Sequence, residues 1–119
     1  MPPLREPAEF DRYKAVLEES GRFRGCIQWK QIAAEWVREH LDAHTQKSVE
    51  WLMYEHRGDV YQAKESRPEY RDRYSYHYDF LIPIDGRVIY IETVFEPGVS
   101  DDAARIRVVS IHPNDVTAP

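Results

Sequence analysis

One cysteine, Cys26, and five glycines are all that the 119 residues hold of either, and each scarcity removes a class of protein. A lone thiol closes no internal disulfide, and without a second cysteine nearby Cys26 offers neither a zinc knuckle nor a redox pair. It reads as a small hydrophobe or a surface thiol. The glycines form no phosphate-cradling loop, and neither an internal repeat nor a low-complexity tract is visible. No apolar run approaches the ~20 residues needed to cross a bilayer. The N-terminal MPPLREPAEF also lacks the apolar core of a secretory signal, so the expectation is a cytoplasmic protein that does not engage membranes. Positive charge is short as well. A formal net charge of -5 repels phosphate backbones, and nucleic-acid binding would need a local basic patch.

What is present is a globular composition, 42% apolar and 31% charged, with three Trp, eight Tyr and four Phe to supply buried area. The length suits a single domain over 1–119, with 1–6 and 114–119 as loose tails.

Pro7 to Ser20 has helical spacing: Phe10, Tyr13 and Leu17 fall on one stripe with Val16 beside them, and Gly21 supplies the stop. The segment GRFRGCIQWKQIAAEWVREHLDAH carries the clearest helical periodicity, through Trp29, Ile32, Ala33, Trp36, Val37 and Leu41. KSVEWLMYEHRGDVYQAKE fits either a helix or a strand, turn and strand; helix over 46–56 and a short strand near 59–65 is the preferred reading. RYSYHYDFLIPI and RVIYIETVFE are β-branched and aromatic, and the Asp85-Gly86 pair between them is a strong signal for a two-residue type I′ hairpin. VSDDAA reads as a polar loop and RIRVVSI as a further strand. The expected class is α+β: two or three N-terminal helices packed on a mainly antiparallel sheet of three to four strands.

The hairpin register assigns faces. With Ile84 opposite Arg87, the core side takes Ile82 with Ile89, Phe80 with Ile91, Tyr78 with Thr93 and Tyr76 with Phe95. The other side takes Leu81 with Tyr90, Asp79 with Glu92 and His77 with Val94. Two carboxylates thus stand opposite each other with a histidine two residues away, and their repulsion has to be offset by a cation, a shared proton or solvent. If RIRVVSI neighbours the hairpin with Ile106 and Val108 on the core side, Arg105 and Arg107 reach the carboxylate side, and a kink at Val109 would bring His112 round.

Three kinds of chemistry fit such a face. Acid/base catalysis would use Glu92 or Asp79 as base, His77 or His112 as acid, and Arg107 or Arg67 to hold an anionic transition state. A metal site of His77, Asp79 and Glu92 would suit Mn, Fe or Zn, or Mg as in a metal-dependent nuclease hairpin. Such nucleases usually carry a Lys two residues after the Glu, where this chain has Val94, so no metal or other cofactor is expected. A salt-bridged face of a half-solvated sheet would need no catalysis at all. His40 and His44 lack HExxH order and read as a solvated helix end. Trp29, Trp36 and Trp51 read as core. The mixed-charge connector around Pro68 reads as a solvated loop, or as a patch of Arg67, Arg71, Arg73, Tyr70 and Tyr74 for phosphate and stacked bases.

The order of helices before an antiparallel sheet, together with RDRYSYHYDFLIPIDGRVIYIETV, resembles the small ribonuclease domains of the RelE and barnase type, bacterial toxins among them. The resemblance covers roughly the C-terminal half and implies metal-free cutting of RNA with the 2′-hydroxyl as nucleophile. It implies Glu92 as the base, His77 or His112 as the acid and Arg67 or Arg107 as the phosphate clamp. The partner would be RNA. The acidic charge equally suits a non-catalytic binding module, immunity or antitoxin-like, whose partner would be a basic protein.

Overall fold

The structure, a computed structural model, describes residues 7–21, 26–98 and 103–114. The expected tail 1–6, residues 115–119 and most of the VSDDAA loop lie outside the described residues. Among those described, the order is α1 (Pro7–Ser20), β1 (Ile27–Trp29), α2 (Gln31–His40), α3 (Gln46–Glu55), β2 (Tyr61–Lys64), α4 (Pro68–Arg71), β3 (Tyr76–Ile84), β4 (Arg87–Glu96) and β5 (Arg105–Pro113). The strands form one sheet in the order β1-β5-β4-β3-β2. The class is α+β as expected, but the sheet has five strands and is mixed, since β1 runs parallel to β5.

The fifth strand comes from the segment with the strongest helical periodicity. Cys26 to Trp29 also alternates, and Ile27 and Trp29 pair with Ile106 and Val108, so burial against β5 overrides the helical spacing at its N-terminal end. Lys30 remains extended at ψ 141 and the helix starts one residue later. The shorter α2 buries a narrow stripe of Ala33 and Val37, while Ile32 is 67% exposed despite its periodic position.

α3 resolves the ambiguous segment through a capping box. The Thr45 side chain accepts from the Ser48 backbone N–H, and Ser48 Oγ accepts from that of Thr45, satisfying two donors that a strand would not leave free. α1 buries its expected stripe, with Tyr13 stacked on Tyr78 of β3 at 4.2 Å between centroids.

The hairpin follows its turn. Asp85 (φ 53) and Gly86 (φ 81) both occupy the left-handed region that type I′ demands, and the pairing runs from Ile84 with Arg87 to Tyr78 with Thr93. Phe80, Ile82, Ile89, Ile91, Ile106 and Val108 are buried on one face of the sheet, where residues of α1, α2 and α3 complete the core.

β5 lies beside β4, with one interruption: Thr93 pairs with Val108 but Glu92 with Ser110. Val109 is therefore an extra residue, a bulge at the position where a kink was expected. Its side chain joins Tyr74 and Val94, with Tyr70 packed against them, in a second small apolar cluster outside the main core. α4 at this cluster lies in the mixed-charge connector, whose composition predicts a solvated loop. Pro68 starts its single turn at a position where a missing N–H costs nothing. Among the described residues, no helix is long and apolar enough to cross a membrane.

Gly86→Ala puts a Cβ at φ +81 and should cost about 1–2 kcal/mol, the usual penalty of left-handed backbone for an L-residue. Urea unfolding should show a lower midpoint with an unchanged m value, and an unshifted midpoint would contradict the turn geometry.

Candidate functional site

A row of paired residues crosses the sheet on the face away from the helices: Tyr61 on β2, Asp79 on β3, Glu92 on β4 and Ser110 on β5. Asp79 is 2% and Glu92 7% exposed. Two negative charges roughly 5 Å apart at an effective dielectric of about 20 repel by about 3 kcal/mol. That exceeds the worth of an ordinary surface ion pair, so the pair requires counter-charges held in place.

Two are present. His77 Nδ1 lies 2.9 Å from Asp79 Oδ1, and since the carboxylate only accepts, the ring nitrogen is the donor. This leaves Nε2 as the imidazole's other proton site. The hydrogen bond to Asp79 raises the His77 pKa above its ordinary value, with burial opposing and the nearby Glu92 and Glu65 charges adding to the rise.

The second is Arg67. Its Nε and Nη2 donate to Glu65 at 2.9 and 2.7 Å, and Nη2 also donates to Glu92 Oε2. The Glu65 side chain is 1% exposed, and the hydrogen bonds from Arg67 hold its pKa below the usual carboxylate value. The guanidinium also lies over the Tyr70 ring at 4.5 Å.

Tyrosines border the cluster. The Tyr90 hydroxyl points to Glu92 Oε1 at a long 3.4 Å and hydrogen-bonds Asp79. Burial, then the Asp79 and Glu92 charges, push the Tyr90 pKa upward, and Tyr61 shifts the same way for the same reasons. Beyond them the face opens to solvent, with Tyr61, Leu81 and Val88 each 40% exposed or more.

The cluster therefore unites four of the expected residues, Glu92, Asp79, His77 and Arg67, and leaves two apart. Arg107 stands on the expected side of β5 but opposite Val94, where its charge acts on the Tyr74 hydroxyl. His112 is exposed opposite Tyr90, its ring 5.1 Å from the tyrosine's and its Nδ1 donating to the Pro113 carbonyl. The counter-charge for the carboxylates comes from Arg67 of the connector instead of Arg105 or Arg107 of β5. The bulge explains this, because it places Val109 and Ser110 between the β5 arginines and Glu92.

Sequence reasoning did not assign Glu65 or Tyr61 to the site. The signal for Glu65 was the Glu-x-Arg spacing before Pro68, which in extended chain puts both side chains on one face. Tyr61 became visible only once β2 was paired with β3.

Of the other candidates, His40 stacks on Trp36, whereas His44 meets Asp85 at 3.7 Å and Ser48 at 3.1 Å. The two share no ligand site. Trp51 is 51% exposed instead of core. His77, Asp79 and Glu92 each bring one ligand atom within 4.8 Å of the others. They could hold a divalent cation, in competition with the Arg67 guanidinium that already neutralises Glu92.

Comparison with protein-family models, with curated proteins and with solved structures gives no match for this chain.

Because the folded-state pKa of His77 is raised, its bond to Asp79 contributes fully below the unfolded value of about 6.5 and loses that contribution as pH rises through the folded value. The stability advantage of the wild type over His77→Gln in urea unfolding should be larger at about pH 6 than at about pH 9. Equal advantages at both would contradict the ion pair.

Proposed function

We propose that the outer face of the sheet is an acid/base centre that cleaves RNA without a metal. The observation that carries this reading is the adjacency of two differently paired groups, a carboxylate-bound imidazole (His77 with Asp79) and a guanidinium-bound carboxylate (Glu92 with Arg67). One phosphodiester can reach both. An imidazole and a carboxylate held side by side are the pair of side chains best suited to give and take protons in such a reaction.

In this reading Glu92 takes the proton of a ribose 2′-hydroxyl, and the freed oxygen attacks the adjacent phosphorus. The bond to the 5′-oxygen breaks as that oxygen takes a proton from the His77 imidazolium. The products are a 2′,3′-cyclic phosphate and a 5′-hydroxyl end. Asp79 keeps His77 oriented and charged. Arg67 turns from Glu92 to the phosphoryl oxygens as negative charge builds there, a change for which the planar, bidentate guanidinium is suited.

A second reading is supported by the exposed row of Tyr61, Leu81 and Val88 beside the cluster. Flanked by carboxylates on an acidic chain, it is a face on which a basic protein could dock.

The purified protein should cleave single-stranded RNA in EDTA, and Glu92→Gln or His77→Ala should each lose roughly 10²–10⁴-fold in rate while remaining folded by circular dichroism. RNA left intact across a pH series removes the reaction and leaves the docking face. Cleavage that appears only when Mn²⁺ or Zn²⁺ is supplied would assign the three residues to a metal instead.

Since His77 acts in its protonated form, the rate should fall as pH rises through its raised pKa. Asp79→Asn removes the negative charge behind that rise and should move this alkaline limb to lower pH; a limb that stays in place would exclude His77 as the acid.

A further inference from the structure

Where β2 runs into α4 lies an open cleft of about 770 Å³, within the usual range of ligand sites. Its charged lining is Lys64, Glu65, Arg71 and Asp72. Glu65 brings no free negative charge, because Arg67 holds both of its oxygens. The arginines of 67–73 divide by their commitments. Arg67 is bound to Glu65 and Glu92, and Arg73 is bound to Glu96 and lies over Tyr74.

Among the described residues, the side chains of Arg71 and Lys64 have no such partner. Both are exposed and both face this one cleft. Against the single exposed carboxylate of Asp72 they leave the cleft with a surplus of positive charge, on a chain whose net charge is -5. Ser66, Ser75 and Tyr76 add polar and aromatic lining. Lys64 and its partner Tyr76 leave the sheet on the helix side, whereas His77 and Asp79 leave it on the outer side, so the cleft lies at the β2 edge, where a chain coming off the outer face can turn into it.

We infer that this cleft at the β2 edge is a backbone subsite for single-stranded RNA, in which Lys64 and Arg71 bind a phosphate of the chain that is cut at His77 and Glu92. The inference rests on the ribonuclease reading and names where its substrate lies. A local basic patch is what an acidic protein needs to hold a polyanion, and two unpaired cations can make phosphate contacts without first breaking an internal ion pair.

The test uses a fluorescent 2′-O-methyl RNA of about ten nucleotides, a length typical of single-strand sites, which lacks the nucleophile and cannot be cut. Anisotropy titrations over a range of salt compare the wild type, the Lys64→Ala/Arg71→Ala double variant and Arg38→Ala, an exposed cation on α2. The double variant should bind at least tenfold more weakly, and its salt slope should fall by about 0.7, the contribution of one neutralised phosphate on a single strand. Arg38→Ala should match the wild type.

A double variant that binds as the wild type does, an unchanged salt slope, or a wild type that does not bind the probe would each overturn the subsite. Because the probe is not cleaved, this result is independent of the reaction: substrate RNA left intact in the cleavage assay removes the chemistry, whereas indifference of probe binding to Lys64 and Arg71 removes the subsite alone.

Discussion

Two carboxylates set side by side with almost no access to water are the constraint around which the outer half of this molecule is organised. The hairpin dictates their adjacency: once Asp85 and Gly86 adopt left-handed backbone, Asp79 and Glu92 have no other register available. Each then takes a different kind of cation. Asp79 has an imidazole two residues along its own strand, whereas Glu92 depends on a guanidinium from outside the hairpin. Removing either partner would leave a buried charge uncompensated, which is far more costly than the bond itself is favourable.

Delivering Arg67 accounts for structure that is otherwise hard to explain. The connector between β2 and β3 crosses to the outer face, turns once through α4 and is pinned there by Tyr70 and Tyr74 against Val94 and Val109. Tyr74 is held further by its hydroxyl, which donates to Glu96 at 2.5 Å. Glu65, itself buried, fixes the guanidinium from behind through a bidentate pair. The second apolar cluster is thus the footing of an ion-pair network. The helix-covered core and the polar face meet through the strands themselves, since alternate residues of β3 and β4 serve each.

The hairpin and its faces were legible in the sequence because they depend on local rules, a turn dipeptide and a period of two, that tertiary context has little power to change. Glu92, Asp79 and His77 were found for that reason. β1 was not legible: Ile27 and Trp29 fit both a helical and an alternating pattern, and only pairing with β5, some eighty residues away, decides between them. Arg67 was one of several arginines, and what distinguishes it from Arg107 is the path of a connector and a one-residue irregularity in β5, neither of which residue type discloses. α3 was decided by Thr45 and Ser48, a cap that is readable once the helix is known to begin there.

The irregularity at Val109 has a consequence for how this chain can change. In an unbroken strand, residues 106, 108, 110 and 112 would share one side. With one residue looped out of the count, Ile106, Val108 and Ile111 are all buried in the core, and Ser110 and His112 pair with Glu92 and Tyr90 of the outer face. The bulge acts as a parity switch between the two ends of the strand. Because Val109 is the extra residue, its deletion would leave Val108 and Ser110 adjacent and the strand regularly alternating, with Ile111 still on the core side and Ser110 and His112 still facing outward. The chain can therefore shed one residue at this point without exchanging its oily and polar sides, whereas the same loss within the regularly paired β3 would exchange them.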